Sequence, residues 1–243
     1  PLIPALKTNL FQGDDEERRI PIHRSVAEYL GARYIAGLVD HRGFPLGRVL
    51  ALMTGQDGGV VADLRGHSAW LSVHCRTGRA ALIERDPLGV VLYGDARYFP
   101  VADKKLILDA LSGEARRYPW FRSEDWSSSP FGALGTADMA PVFSEILASP
   151  LRDDASQALL DCVLDAIRFG ESMPALAESL RTVVQDAGYL PAIRRDALEA
   201  LMRVSRDDNS QLVTLAADIR TGAVEDRDDE ILGVLLRKLY PHF

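Results

Sequence analysis

The sequence predicts an all-α protein, an α-α superhelix of stacked helix pairs with one small β-hairpin near its N-terminus. Three observations carry that reading. Apolar residues recur at i, i+3, i+4 and i+7 through most of the chain after Ile22, which is the spacing of one helix face. A strand-like reading is confined to residues 8–22. Pro150, Pro174 and Pro191 stand just ahead of, or at, the starts of strong helical stripes, where a missing backbone donor is tolerated.

Taken in order, TNLFQ, GDDEE and RRIPI over residues 8–22 read as a strand, a glycine-led polar turn and a second strand. An isolated hairpin is marginal in water, so it should pack against the helix that follows. Val26, Leu30, Tyr34 and Leu38 mark the apolar face of that helix. Leu46, Val49, Leu50 and Met53 mark the next, which Gly55 stops. Further helices are expected around 61–75, 78–85 and 101–117, the last with Leu106, Ala110 and Leu111 on one face. Residues 118–137, YPWFRSEDWSSSPFGALGTA, break every period with two prolines, three consecutive serines and two glycines, and read as a connector. It divides the chain into a first domain over 1–135 and helical repeats over 136–243.

Beyond the connector the stripes are strongest. Leu159, Leu160, Val163, Leu164 and Ile167 form one, and Leu176, Leu180, Val183, Val184 and Ala187 the next. Leu212, Leu215, Ala216 and Ile219 follow, then Ile231, Leu232, Leu235, Leu236 and Leu239. An internal echo accompanies them: residues 152–160, RDDASQALL, align with 194–202, RRDALEALM, at an offset of 42, with five of nine positions identical. Arg227-Asp228-Asp229 through Leu236 reads as a weaker third copy. The offset falls within the roughly 40 to 47 residues of HEAT and armadillo units, whose helix pairs bury their stripes only by stacking on neighbours. A plain helical bundle carries the same stripes.

Composition bounds the function. The 243 residues, 47% hydrophobic and 26% charged, suit one or two ordinary globular domains. Cys75 and Cys162 lack CxxC pairing and read as small buried residues in a reducing compartment. The net charge is −7, and residues 151–243 carry 11 basic against 17 acidic side chains. That balance makes nucleic acid an unlikely partner, because such binding needs a positive field to displace counterions. No apolar run approaches the roughly 20 residues that span a bilayer, and PLIPALKTNLF lacks a signal-peptide layout. A cytoplasmic protein without a membrane partner is therefore expected. A chain that opens at Pro1 and stops at Phe243 reads as a piece of something longer.

The residues offer little chemistry of their own. There is no GxxxxGK[ST] loop; TGQDGGV at 54–60 lacks the lysine and reads as a helix stop and turn. His67 and His74 would share a helix face, but two helical turns hold them about 10.5 Å apart, too far for one metal ion. The carboxylates at 14–17, 153–154 and 226–230 fall at turns and first helical turns, where the helix dipole favours them. No enzyme, metal site or cofactor is predicted for this chain. The connector stands out as a candidate interface, since Tyr118, Trp120, Phe121, Trp126 and Phe131 place five of the chain's 18 aromatic residues within 14 positions. They read either as an exposed platform for a partner or as a plug between domains.

One segment carries more. Residues 21–32, PIHRSVAEYLGA, resemble the pattern apolar-x-His-x-[ST]-Phe-x-Glu-[Tyr/Phe]-x-Ala-Ala that closes the winged-helix domain of NACHT-type STAND NTPases, just after the wing hairpin. Val26 replaces the phenylalanine and Gly31 the first alanine. The hairpin before it fits the wing, and residues 228–241, DDEILGVLLRKLYP, look like part of the helical repeat region of bacterial NACHT-like proteins. In that family the histidine contacts the β-phosphate of bound nucleotide, so the resemblance makes His23 a cofactor-contacting residue when a nucleotide-binding domain precedes this chain. An imidazole can donate to a phosphate and sense its loss. Glu28 and Tyr29 are expected to pack and hydrogen-bond the first helix against the hairpin.

The resemblance implies a non-catalytic regulatory or sensing helical region of a STAND-type NTPase. It would act through contacts with a protein partner or the preceding NTPase domain, in signalling or antiphage defence. The alternative is a free-standing HEAT-like adaptor or nucleic-acid-binding protein that uses Arg152, Arg194, Arg195 and Arg227 as one stripe.

Overall fold

A computed structural model of the protein describes residues 10–13, 19–123, 127–205, 209–227 and 229–240. The chain is all-α apart from one short hairpin: β1 (Phe11–Gly13) pairs antiparallel with β2 (Arg19–Pro21), Phe11 lying opposite Pro21. The Ile22 N–H donates to the Leu10 carbonyl at 3.0 Å and lengthens the ladder. β2 packs against the helix that follows, which supplies the neighbour that an isolated hairpin lacks.

Contacts divide the chain into two compact units, residues 1–107 and 108–243. In the first unit the helices are α1 (Arg24–Arg42), α2 (Leu46–Met53), α3 (Arg65–His74), α4 (Arg79–Arg85) and α5 (Pro87–Tyr93). The division falls inside α6 (Val101–Arg117) rather than at residue 135.

The first unit is built on a close crossing of α1 and α3. Val26, Leu30, Tyr34 and Leu38 are not the buried face of α1: Leu30 is 42% and Tyr34 65% exposed. Ala32 and Ala36 are buried instead, with Ile35 and Val39 packed beside them against Val49, Leu50, Met53 and Leu71. Two glycines explain why the small residues face inward. A Cβ on Gly31 would lie 2.8 Å from His67 on α3, and one on Gly66 would fall inside the Glu28 carboxylate. Close approach of the two backbones, which larger side chains would block, therefore selects this face. α2 buries Val49, Leu50 and Met53, the face its spacing predicts.

Charged side chains tie the helix ends of this unit. Asp86 caps α5 by accepting from Gly89 N–H at 2.8 Å, and takes a bidentate pair from Arg65 at 2.8 and 2.9 Å. Arg79 donates to the Ser72 and Val73 carbonyls at the end of α3 at 2.8 and 3.1 Å, pairs with Asp103 at 2.7 Å and lies 4.3 Å from the Phe99 ring centroid.

The second unit continues with a 3-10 turn over Ser129–Ala133 and then α7 (Ala140–Leu147), α8 (Asp154–Phe169), α9 (Ala177–Gln185), α10 (Pro191–Ser205), α11 (Ser210–Arg220) and α12 (Glu230–Leu239). Residues 129–135 lie on the C-terminal end of α8. There a Cβ on Gly135 would fall inside the Ala166 carbonyl, and Glu171 N–H donates to the Gly135 carbonyl at 2.6 Å.

A regular recurrence runs through this unit with a period of 37 residues. The 3-10 turn Ala137–Met139 returns as Pro174–Leu176, α7 as α9 and α8 as α10, each first residue 37 later (137 to 174, 140 to 177, 154 to 191). The buried positions follow: Phe143 with Leu180, Leu147 with Val184, Leu160 with Ala197, Leu164 with Leu201, Ile167 with Val204. Ile231 and Leu235 on α12 stand 37 beyond Arg194 and Leu198. α8 packs on α10, α10 on α12, and α7 on α9.

The 42-residue echo does not mark this recurrence. Arg152 precedes Asp153, the N-cap of α8, whereas Arg194 lies inside the first turn of α10, so the matched letters occupy different places. Burial, not letter identity, sets the register.

Candidate functional site

His23 occupies the N-cap position of α1, with φ −109° and ψ 135°. Its carbonyl accepts from Val26 and Ala27 N–H at 3.1 and 3.3 Å, while its imidazole is exposed and makes no cap hydrogen bond. Among the described residues, the contacts of Glu28 and Tyr29 run along α1 and to α3. Glu28 pairs with Arg24 at 2.8 Å and lies against Gly66. Tyr29 meets Trp70 and His74 edge-on, with ring centroids 5.1 and 4.8 Å away. Both are α3 contacts.

His74 and His67 are packing residues in this setting. Burial lowers the His74 pKa, Arg33 adding to the effect, and burial lowers that of His67 against the opposing pull of Glu28. Neutral rings are favoured. Among the described residues no group of His, Cys, Asp and Glu could hold a metal ion. Both cysteines are free and buried. Burial pushes the Cys162 thiol up to about 12 and raises Cys75 as well, which suppresses the reactive thiolate.

The aromatic segment splits in two. Phe131 is fully buried within the second unit, whereas Tyr118 and Trp120 are 53% and 57% exposed and Phe121 is half-buried. Trp126 lies outside the described residues. The exposed part has a purpose in the geometry, because Trp120 and Phe121 form one wall of a groove of about 330 Å³ within the second unit.

That groove combines aromatic, apolar and charged side chains. Leu190, just ahead of α10, and Ala192 and Ile193 in its first turn also line it. Its charged lining comprises Asp154, Asp161, Asp165 and Asp196 against Arg122 and Arg195, four carboxylates to two guanidiniums.

Arg122 is the organising side chain, 5% exposed. Its two terminal nitrogens donate to Asp161 and Asp165 at 2.7 Å each, and its guanidinium carbon lies 4.4 Å from the Phe131 ring centroid. Its Nε is buried without an acceptor among the described residues. Behind the groove, Arg168 pairs with Asp165 at 3.1 Å, with Asp196 at 3.4 Å and with Glu199.

Electrostatics set this site apart. Burial raises the Asp161 carboxyl to about 6; Arg122 opposes the rise, and the charges of Asp165 and Asp196 add to it. Burial likewise raises Asp196 against the pull of Arg168 and Arg195. The groove thus holds negative charge that its own arginines do not fully offset, and an added cation lowers its energy.

Sequence reasoning found the aromatic wall and missed the acidic floor. A signal was present: Asp161, Asp165 and Arg168 recur at i, i+4 and i+7 on a helix whose neighbours are apolar, which places charge on a face the fold must bury.

The arginines considered as a nucleic-acid stripe each have a partner within the second unit. Arg152 pairs with Asp186 at 2.6 Å over the Tyr189 ring, Arg194 is buried and donates to the Val184 and Glu225 carbonyls, Arg195 approaches Asp196 at 3.6 Å and Arg227 pairs with Glu225 at 2.6 Å.

No protein-family model, no curated protein and no solved structure matches the chain. Among the described residues no helix is long and apolar enough to cross a membrane.

Proposed function

We propose that this chain is a non-catalytic regulatory or sensing region that works through protein-protein contacts, placed after the nucleotide-binding module of a bacterial NACHT-like STAND NTPase. The observation that carries the contact role is the 37-residue recurrence of helix pairs in the second unit. Its period sits just below the roughly 40 to 47 residues of HEAT units. Stacked helix pairs offer extended side-chain surfaces that suit protein partners better than enclosed chemistry. The groove beside α8 and α10 is such a surface.

The placement after a winged helix rests on PIHRSVAEYLGA and on two local features that agree with it. The hairpin runs directly into α1, and the His23 imidazole is exposed at the helix start without a cap bond. From there it can reach a nucleotide held by a preceding domain. Such a contact couples nucleotide state to the arrangement of the helical region, as switching proteins do when a ligand binds one arrangement better than another.

The test is the native reading frame upstream of the Pro1 codon. It should encode a GxxxxGK[ST] segment and an acidic strand end for Mg²⁺ within a few hundred codons. A frame without them overturns the NTPase placement and leaves a helical adaptor.

A further inference from the structure

We propose that the groove between residues 119–123 and the start of α10 is a binding site for an arginine side chain presented by a partner polypeptide. The proposal deepens the protein-contact reading above and rests on it for the nature of the partner, but not on the NTPase placement.

Charge complementarity chooses the sign of the ligand. The lining carries four carboxylates and two guanidiniums, and including Arg168 and Glu199 behind it leaves five against three, the same excess of two negative charges. An incoming cation meets two carboxyl groups, Asp161 and Asp196, that burial disfavours as anions.

Shape and stacking choose guanidinium over ammonium. Trp120 presents an indole more than half exposed beside those carboxylates, and a planar guanidinium stacks on an aromatic face while pairing with carboxylate oxygens in its plane. The second unit already uses this arrangement twice. Arg122 lies over Phe131 between Asp161 and Asp165, and Arg152 lies 3.8 Å from the Tyr189 ring centroid beside Asp186. An arginine from a partner would repeat the arrangement on the Trp120 wall.

A peptide is chosen over a polyamine by the protein-contact reading on which the proposal rests. The apolar remainder of the groove, Leu190, Ala192 and Ile193, covers the methylene stem of the ligand.

The experiment uses the whole chain and Nα-acetyl-arginine amide as probe, with the isosteric, uncharged Nα-acetyl-citrulline amide as control. Binding is followed by the backbone amide resonances of the protein in every variant, with the indole N–H of Trp120, assigned with Trp120→Phe, as a second reporter where Trp120 is present. The expected result is a saturable shift with the arginine probe and at least tenfold weaker binding of the citrulline probe. Trp120→Ala and the double variant Asp161→Asn, Asp196→Asn should each weaken the arginine probe at least tenfold. Trp120 is exposed, so its variant keeps the fold; circular dichroism checks the double variant. Equal affinity for both probes, no shift at any soluble concentration, or unchanged affinity in a folded Trp120→Ala protein overturns the site. Loss of the site leaves the upstream GxxxxGK[ST] test untouched, so the two readings fail separately.

Discussion

Asp161 is a carboxylate whose ionisation this fold penalises. Its pKa near 6 lies above the ordinary value near 4 because burial outweighs the attraction of Arg122. The folded state then holds the Asp161 proton more tightly than the unfolded chain does. The stability this group contributes is complete below pH ~4 and is lost as pH rises through about 6. Asp186 has the opposite sign: hydrogen bonding from Arg152, then from the Gly188 N–H, holds it low, so its contribution is present above the ordinary value and lost in acid. Asp161→Asn removes the titration while keeping an oxygen for Arg122 to donate to. Urea unfolding of wild type and Asp161→Asn across pH 4 to 7 should show the variant gaining on wild type as pH rises, by up to about 3 kcal/mol, and levelling above 7. A difference that stays flat over that range would mean that Asp161 titrates as an ordinary surface acid.

At the scale of elements, backbone proximity decides more than apolar spacing does. The α2 stripe was legible because helical period and burial coincide at Val49, Leu50 and Met53. On α1 the larger residues at 30 and 34 spell the stripe, yet the buried face belongs to Ala32 and Ala36. The reason lies 35 residues away, in Gly66 and His67, and no local pattern on α1 reports it. The 37-residue recurrence escaped for a related reason. α8 and α10 share burial positions while differing in most letters, and a chance match of five letters pointed to 42. The groove was half legible: the aromatic cluster was visible as composition, but Asp161 and Asp196 meet only through the stacking of α8 on α10. The same logic gives a paired prediction. Gly135→Ala would drive a Cβ into the Ala166 carbonyl and disturb the Glu171 to Gly135 hydrogen bond, costing about 2–4 kcal/mol. Gly113→Ala on α6 meets open space and should stabilise by about 0.5–1 kcal/mol through helix propensity. Denaturant midpoints of the two variants should move in opposite directions; a neutral Gly135→Ala would show that residues 129–135 do not need their close seat on α8.

At the scale of the whole chain, the placement of residues 118–135 decides what can fold alone. They read in sequence as a connector, but Phe131 and Leu134 are fully buried, and Arg122 is the partner of Asp165, itself almost wholly buried. A fragment of residues 136–243 loses two large apolar side chains, worth roughly 1.5–3 kcal/mol each. It also strips Arg122 from Asp161 and from the buried Asp165, which keeps only Arg168, and breaking a buried pair costs up to about 3–5 kcal/mol. Together these approach the entire 5–15 kcal/mol by which a typical domain is stable. A fragment of residues 100–243, which keeps α6 whole, loses none of them. The longer fragment should therefore melt in one cooperative transition with full helical circular dichroism. The shorter one should unfold over a broad range and bind a hydrophobic dye. Equal cooperativity and midpoint in the two fragments would return residues 118–135 to the role of a linker, and would detach the Trp120 wall from the helix stack on which the arginine site depends.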